Sequence, residues 1–219
     1  MVSTQYKISI TKEQLAQLPV HSYQGDIRLV DTAEAVHASL RELSCEKMVG
    51  FDTETRPSFR KGCRHQVALM QIATDNLCYL FRLNKTGICA DLKAFLENPE
   101  ILKIGLSVHD DFNAIRRTEE FEPRGFVDLQ TMMKDYDITD ISLTKIYAIV
   151  FGERISKGQR LTNWEAETLS PAQQAYAALD AVACLKLYKY LVAGKFDILH
   201  SPYRHEVENI CTPDDVVKQ

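Results

Sequence analysis

The sequence predicts a mixed α/β fold in which a mixed β-sheet is flanked by helices. Two hairpin-like apolar strands come early, strand–helix alternation follows, and one long, well-capped helix comes late; together these exclude an all-α or all-β chain. DIRLVD (26–31) reads as a short strand. Asp31 and Glu34 then stand at capping-box spacing before Val36, Leu40 and Leu43, which share one helical face. KMVGFDTE (47–54) is a strand, and QVALMQIAT and LCYLFRL are two more, divided by the turn residues Asp75 and Asn76. A helix near 90–98, a strand at ILKIGLS (101–107), a helix from about 108 to 117 and a last strand at GFVDL (125–129) continue the alternation. The remainder turns helical, first near 142–151 and then from Pro171 to about Ala193. Ser170 is the N-cap of that long helix, Pro171 takes its first position, Gln173 completes a capping box and Gly194 provides the stop.

No GxGxxG or Walker A loop is present, so a doubly wound nucleotide fold is not expected. The 219 residues, 45% hydrophobic and 26% charged, suit one domain with a sizeable core, and 195–219 reads as a polar, loosely packed extension. No run approaches the ~20 apolar residues of a membrane span. The N-terminus lacks a signal-peptide pattern. Six cysteines without a CxxC pair read as reduced thiols, which fits a cytoplasmic protein better than a zinc site or disulfide framework. Net charge is −4, so any nucleic-acid binding would need a local basic patch.

Asp52 and Glu54 stand at i and i+2 at the end of an apolar strand, so both carboxylates leave one face. Like charges there repel unless a cation lies between them, the alternative being a solvated strand end. In SVHDDFNAIRR (107–117), Val108, Phe112 and Ile115 define a buried stripe with Asp111 at its edge. Asp110 faces water, where it can cap with Ser107. Asp111 is either directed at a site or held by the helix dipole. Tyr176 and Asp180, four apart, share a face with Ala172, Leu179, Ala183 and Leu187. An aspartate on that face needs a metal or a partner such as the tyrosine hydroxyl.

DTE at 52–54, IGLSVHDD at 104–111 and YAALD at 176–180 resemble, in order and spacing, the three motifs of the DEDD exonucleases. Tyr176 marks the DEDDy branch; the DEDDh branch would carry His in place of Ala175. The flanks 67–83 and 142–181 are similar to the Werner-type exonuclease domain and, more distantly, to ribonuclease D. The resemblance spans roughly 26–193 and implies a ribonuclease-H-like sheet and two-metal 3′–5′ hydrolysis with Mg²⁺ or Mn²⁺. It implies that Asp52, Glu54 and Asp180 hold the cation carrying the attacking water, that Asp52 bridges to a second cation held by Asp111 largely through water, and that Tyr176 orients the water. Neither a helicase nor the helical domain that follows in ribonuclease D is expected in 219 residues, so DNA or RNA is left open.

The substrate-binding candidates are Arg56, Phe59, Arg60, Lys61 and Arg64 in the loop RPSFRKGCRH (56–65), with Lys157 and Arg160 in a second loop. Cations beside an aromatic suit a phosphate backbone and an unstacked end base; a solvated loop is the alternative. Trp164 is expected to pack rather than stack, and the histidines to lie at the surface. A catalytically silent nucleic-acid-binding module of this fold would normally have lost an acid; a phosphatase on small substrates would not need the basic loop.

Overall fold

The computed structural model describes residues 5–58, 62 and 64–207. In chain order the strands are β1 (Gln5–Ile8), β2 (Val20–His21), β3 (Asp26–Val30), β4 (Met48–Thr55), β5 (Val67–Ala73), β6 (Leu77–Phe81), β7 (Leu102–Gly105), β8 (Phe126–Asp128), β9 (Arg154–Ile155) and β10 (Arg204–Val207). The helices are α1 (Lys12–Gln17), α2 (Ala33–Leu43), α3 (Leu83–Thr86), α4 (Ala90–Leu96), α5 (Val108–Ile115), α6 (Leu129–Met132), α7 (Leu143–Phe151) and α8 (Pro171–Val192), with a 3₁₀ turn at Met133–Tyr136.

The expected mixed sheet is present, with six strands in the order β3-β6-β5-β4-β7-β8. β4 lies inside it, antiparallel to β5 and parallel to β7. Alternation along β4 separates two environments. Val49 and Phe51 enter one core with Val36 and Leu40 of α2, Leu92 and Phe95 of α4, and Val108 and Phe112 of α5. Gly50, Asp52 and Glu54 take the opposite face. α8 covers that face so closely that a Cβ at Gly50 would lie 2.0 Å from the Ala181 carbonyl oxygen. Leu69 and Ala73 of β5 pack on the same side with Ala177, Ala178 and Ala181. α8 is therefore enclosed on more than the single stripe expected for it: its alanines meet the sheet while Leu179, Ala183, Leu185 and Leu187 join a third cluster with α7. Ala172, expected on the buried face, is exposed near the helix start.

Ser170 and Gln173 form the expected capping box, and Gly194 follows the helix at φ +65°. Four other expectations are corrected. α2 is capped by Thr32, whose hydroxyl accepts from the Ala35 amide, one residue beyond the Asp31 register. Ser107 makes no side-chain cap to Asp110; it adopts left-handed backbone (φ 59°), and its amide donates to Asp128 Oδ1 at 2.9 Å. The strand at 126–128 closes the large sheet but is not the last strand, because β9 pairs with β2 and β10 with β1. The last pairing also corrects the loosely packed extension: Gln5 stands opposite Val207 and Ile8 opposite Arg204, and Ile8 is fully buried. Residues 208–219 lie outside the described residues. Among the described residues no helix is long and apolar enough to cross a membrane. Cys45, Cys78, Cys89 and Cys184 are free thiols.

The β4–α8 contact yields a direct test. Gly50→Ala forces a methyl group into helix backbone, an overpacking strain that we expect to lower stability by about 2 kcal/mol or more. For a chain of this size that is a fall in Tm of roughly 4–8 °C. An unchanged midpoint in thermal melts would show that α8 is not seated on β4 at this distance.

Candidate metal centre

The acidic residues meet where β4 runs out from beneath α8. Carboxylate oxygens of Asp52, Glu54 and Asp180 lie within 4.8 Å of one another. Asp52 and Glu54 are there because they share the α8 face of β4; Asp180 is there because Ala181, the next residue, rests on Gly50. Glu54 and Asp180 each expose only 9% of their surface. Two unit charges at this separation repel by about 3 kcal/mol even at an effective dielectric near 20. Three cannot remain ionised together without compensation.

The compensation from side chains is slight, and proton affinities rise. Burial drives Asp52 well above the ordinary carboxylate range, with Asp180, Asp111 and Glu54 adding repulsion. Burial, then Asp180 and Asp111, lifts Glu54 to about 9, opposed by Arg160. Burial raises Asp180 to about 7 against the pull of Tyr176 and Lys157. The phenol of Tyr176 is also raised, first by burial and then by the negative charge of Asp180 and Glu54. It therefore stays protonated at neutral pH. An all-carboxylate donor set that is crowded, buried and short of cations fits a hard divalent ion, and no cysteine or histidine joins it among the described residues.

Asp111 stands apart from this trio. It is half-buried at the edge of the stripe formed by Val108, Phe112 and Ile115, and Asp110 is exposed, as the helical periodicity requires. Its Oδ1 accepts a short hydrogen bond from the Thr53 hydroxyl, tying α5 to the middle residue of Asp52-Thr53-Glu54. Burial raises its pKa to about 7 despite that bond. Two positioning groups were thus missed in the sequence. Thr53 lies between two acids that drew the attention. Asp128 holds both the Ser107 and Gln130 amides at 2.9 Å, fixing the turn into α5. An aspartate directly before a helix, at its N-cap, is a signal that could have found it.

The basic candidates divide. Lys157 and Arg160 are exposed in the loop before α8, near enough to Asp180 and Glu54 to lower their pKa values. The Gln173 amide anchors that loop, donating to Thr162 Oγ1 at 3.0 Å and to the Asn163 carbonyl at 3.3 Å. Arg56 instead pairs with Glu165 at 3.1 Å, and His65 meets the other oxygen of the same carboxylate at 3.1 Å. Arg64 is exposed. Phe59, Arg60 and Lys61 lie outside the described residues. Trp164 is fully buried, its ring centroid 6.1 Å from that of Tyr176, so it packs as expected. His37, His109, His200 and His205 are exposed and His21 is half-buried; His21 pairs with Glu153 and His37 with Asp91, each at 2.6 Å.

Comparison with known proteins bears on this arrangement. A family described as 3′-5′ exonuclease matches residues 27–193. The chain is 30% identical over 202 residues to the bifunctional 3′-5′ exonuclease/ATP-dependent helicase WRN of Mus musculus, a match covering 86% of this chain and 14% of that protein. It is 30% identical over 216 residues to a 3′-5′ exonuclease of Arabidopsis thaliana, covering 86% of this chain and 72% of the relative. The crystal structure of the Aedes aegypti Nibbler EXO domain superposes with a TM-score of 0.71 at 22% identity, covering 82% of this chain and 96% of that one, a likeness of fold. The span matched, together with the mixed sheet and its crowded carboxylates, places the chain in the 3′–5′ exonuclease family.

Proposed function

We propose that the protein removes nucleoside 5′-monophosphates from the 3′ end of a nucleic acid by two-metal-ion hydrolysis, with Asp52, Glu54, Asp111 and Asp180 as the ligands of Mg²⁺ or Mn²⁺. The observation that carries this reading is the buried convergence of Asp52, Glu54 and Asp180 without enough cationic side chains to neutralise it. When bound, the cations supply positive charge to the attacking and leaving oxygens of the phosphodiester. Asp52, Glu54 and Asp180 would hold one ion. Asp111, bonded to the Thr53 hydroxyl, would help to hold the second. Tyr176 keeps its proton and orients the attacking water by hydrogen bonding. The water oxygen bonds to phosphorus as the phosphorus–O3′ bond breaks; the water gives up a proton to solvent, and the departing O3′ takes one up to become the new 3′-hydroxyl of the shortened strand. Lys157 and Arg160 attract the phosphate backbone across an otherwise acidic site. Arg56, through Glu165, fastens the loop after β4 to the loop before α8, and Arg64 with Phe59, Arg60 and Lys61 adds cationic and stacking contacts.

Chelation is expected to abolish release of mononucleotides from a 5′-labelled oligonucleotide, and Mg²⁺ or Mn²⁺ to restore it. Full activity in excess chelator would rule out the metal centre. Matched DNA and RNA ends digested side by side give the substrate.

The adjacent acids give a sharper test. Asp111→Asn should stay folded while turnover falls at least ~10²-fold, a barrier increase of about 2.7 kcal/mol. Asp110→Asn, at the exposed first turn of α5, should keep turnover within about twofold and lose at most ~1 kcal/mol of stability. Steady-state kinetics with melting curves separates the two; the reverse pattern would place the metal-site register one residue away.

The raised pKa values fix a pH dependence. Glu54 near 9, and Asp111 and Asp180 near 7, bind protons more tightly folded than unfolded. Such groups lend stability at low pH that is lost as pH rises through the folded values. In chelator, Tm should therefore fall from about pH 6 to about pH 9, and saturating Mg²⁺ should raise Tm most at the upper end. A chelated Tm that is flat or rising over that window contradicts the crowded-carboxylate account.

A further inference from the structure

One side chain beside the acids is unaccounted for by the four-carboxylate reading. Gln71 lies in the middle of β5 with no exposed surface, and neither its amide nitrogen nor its amide oxygen has a hydrogen-bond partner. A buried amide left wholly unpaired is costly, and native interiors rarely tolerate one without a reason. Its place in the sheet supplies a reason. Gln71 is the direct cross-strand partner of Asp52. Opposed residues in an antiparallel pair project from the same face with Cβ atoms about 4.5–5.5 Å apart. That face is the one α8 covers, where Gln71 stands between Leu69 and Ala73 on its own strand and opposite Leu80 on β6. These neighbours are apolar, as are Ala177, Ala178 and Ala181 above them. The polar group on the facing strand is the Asp52 carboxylate.

We infer that Gln71 is a positioning residue for the metal centre: with the centre occupied, its amide N–H would donate to the Asp52 oxygen that faces β5, leaving the other oxygen toward Glu54 and Asp180. A hydrogen bond from a neutral amide stabilises the ionised carboxylate without adding a positive charge to compete with the cation. A lysine or arginine at this position would compete for the same oxygen. A leucine would leave the Asp52 carboxylate against an apolar wall.

This inference rests on the metal reading of the acidic cluster, and the test separates the two. Gln71→Met and Gln71→Leu fill the buried space without hydrogen-bonding groups. Mn²⁺ titration of the full-length wild type and both variants, chelated melting curves, and kcat against KM on a labelled oligonucleotide are the measurements. Mn²⁺ affinity should weaken tenfold or more and kcat should fall with little change in KM, the scale expected when a ligand's supporting partner is removed. The chelated Tm should equal or exceed that of wild type, because an unpaired buried amide has gone. That opposition, a fold no weaker with a metal site that is weaker, is what a purely structural glutamine would not produce. If one variant fails to fold, the other decides. Variants whose Mn²⁺ affinity stays within twofold of wild type overturn the role of Gln71 and leave the metal centre standing. Wild-type protein that binds no Mn²⁺ overturns the metal centre itself, and the inference with it.

Discussion

The seating of α8 on β4 governs the rest of the structure. Gly50 has no side chain, and the Ala181 backbone occupies the space a Cβ would need. A helix and a strand brought this close can share a site that larger residues would hold apart. Asp180 is one residue from that contact on the helix, and Asp52 is one alternation from it on the strand. The capping box at Ser170 fixes where α8 begins, and its alanine-rich sheet face admits the close approach. The second glycine of the region acts in the same way: a Cβ at Gly105 would lie 2.5 Å from Val108 Cγ1 and 3.0 Å from the Phe51 carbonyl oxygen. That close packing brings the start of α5, and with it Asp111, onto β4.

Crowding these acids is the thermodynamic cost of the site. Burial is the largest cause of the raised pKa for each of the four, with mutual repulsion next for Asp52 and Glu54. Without cations the cluster retains protons, so metal binding and proton release are linked. The groups around it moderate rather than cancel the charge. Thr53 gives a hydrogen bond, Lys157 and Arg160 act at longer range, and Asp128 spends its carboxylate on backbone amides rather than on the centre. Such a site could hold a metal ion, which, unlike a fixed lysine or arginine, leaves coordination positions for other ligands.

The loop before α8 is braced from several directions. Arg82, fully buried, donates to the Ala166 and Glu167 carbonyls, and Gln173 holds Thr162 and Asn163. Between these anchors Trp164 fills the interior beside Tyr176, while Lys157 and Arg160 remain at the surface. Under the proposed function, a braced loop would present its cations in a fixed place, limiting the entropy lost on gripping a flexible strand.

What the sequence determined by itself was local. Period-two and period-3.6 patterns located the strands of the large sheet and the longer helices, and the face of α5 distinguished Asp111 from Asp110, because each depends on neighbours within one or two turns of chain. The order and spacing of the acidic motifs carried the family. Tertiary structure decided what distant segments do to one another. Gln5–Ile8 and Arg204–Val207 are too short and too far apart in sequence to announce their pairing. Thr53 and Gln71 carry no local mark of their surroundings, since a hydroxyl or an amide shows its role only when its partner, or the lack of one, is known. Arg56 looked available for substrate until Glu165, more than a hundred residues on, was found against it. Whether the trio of carboxylates meets at all depends on a helix backbone coming to rest on a glycine, a contact that no pattern of spacing encodes.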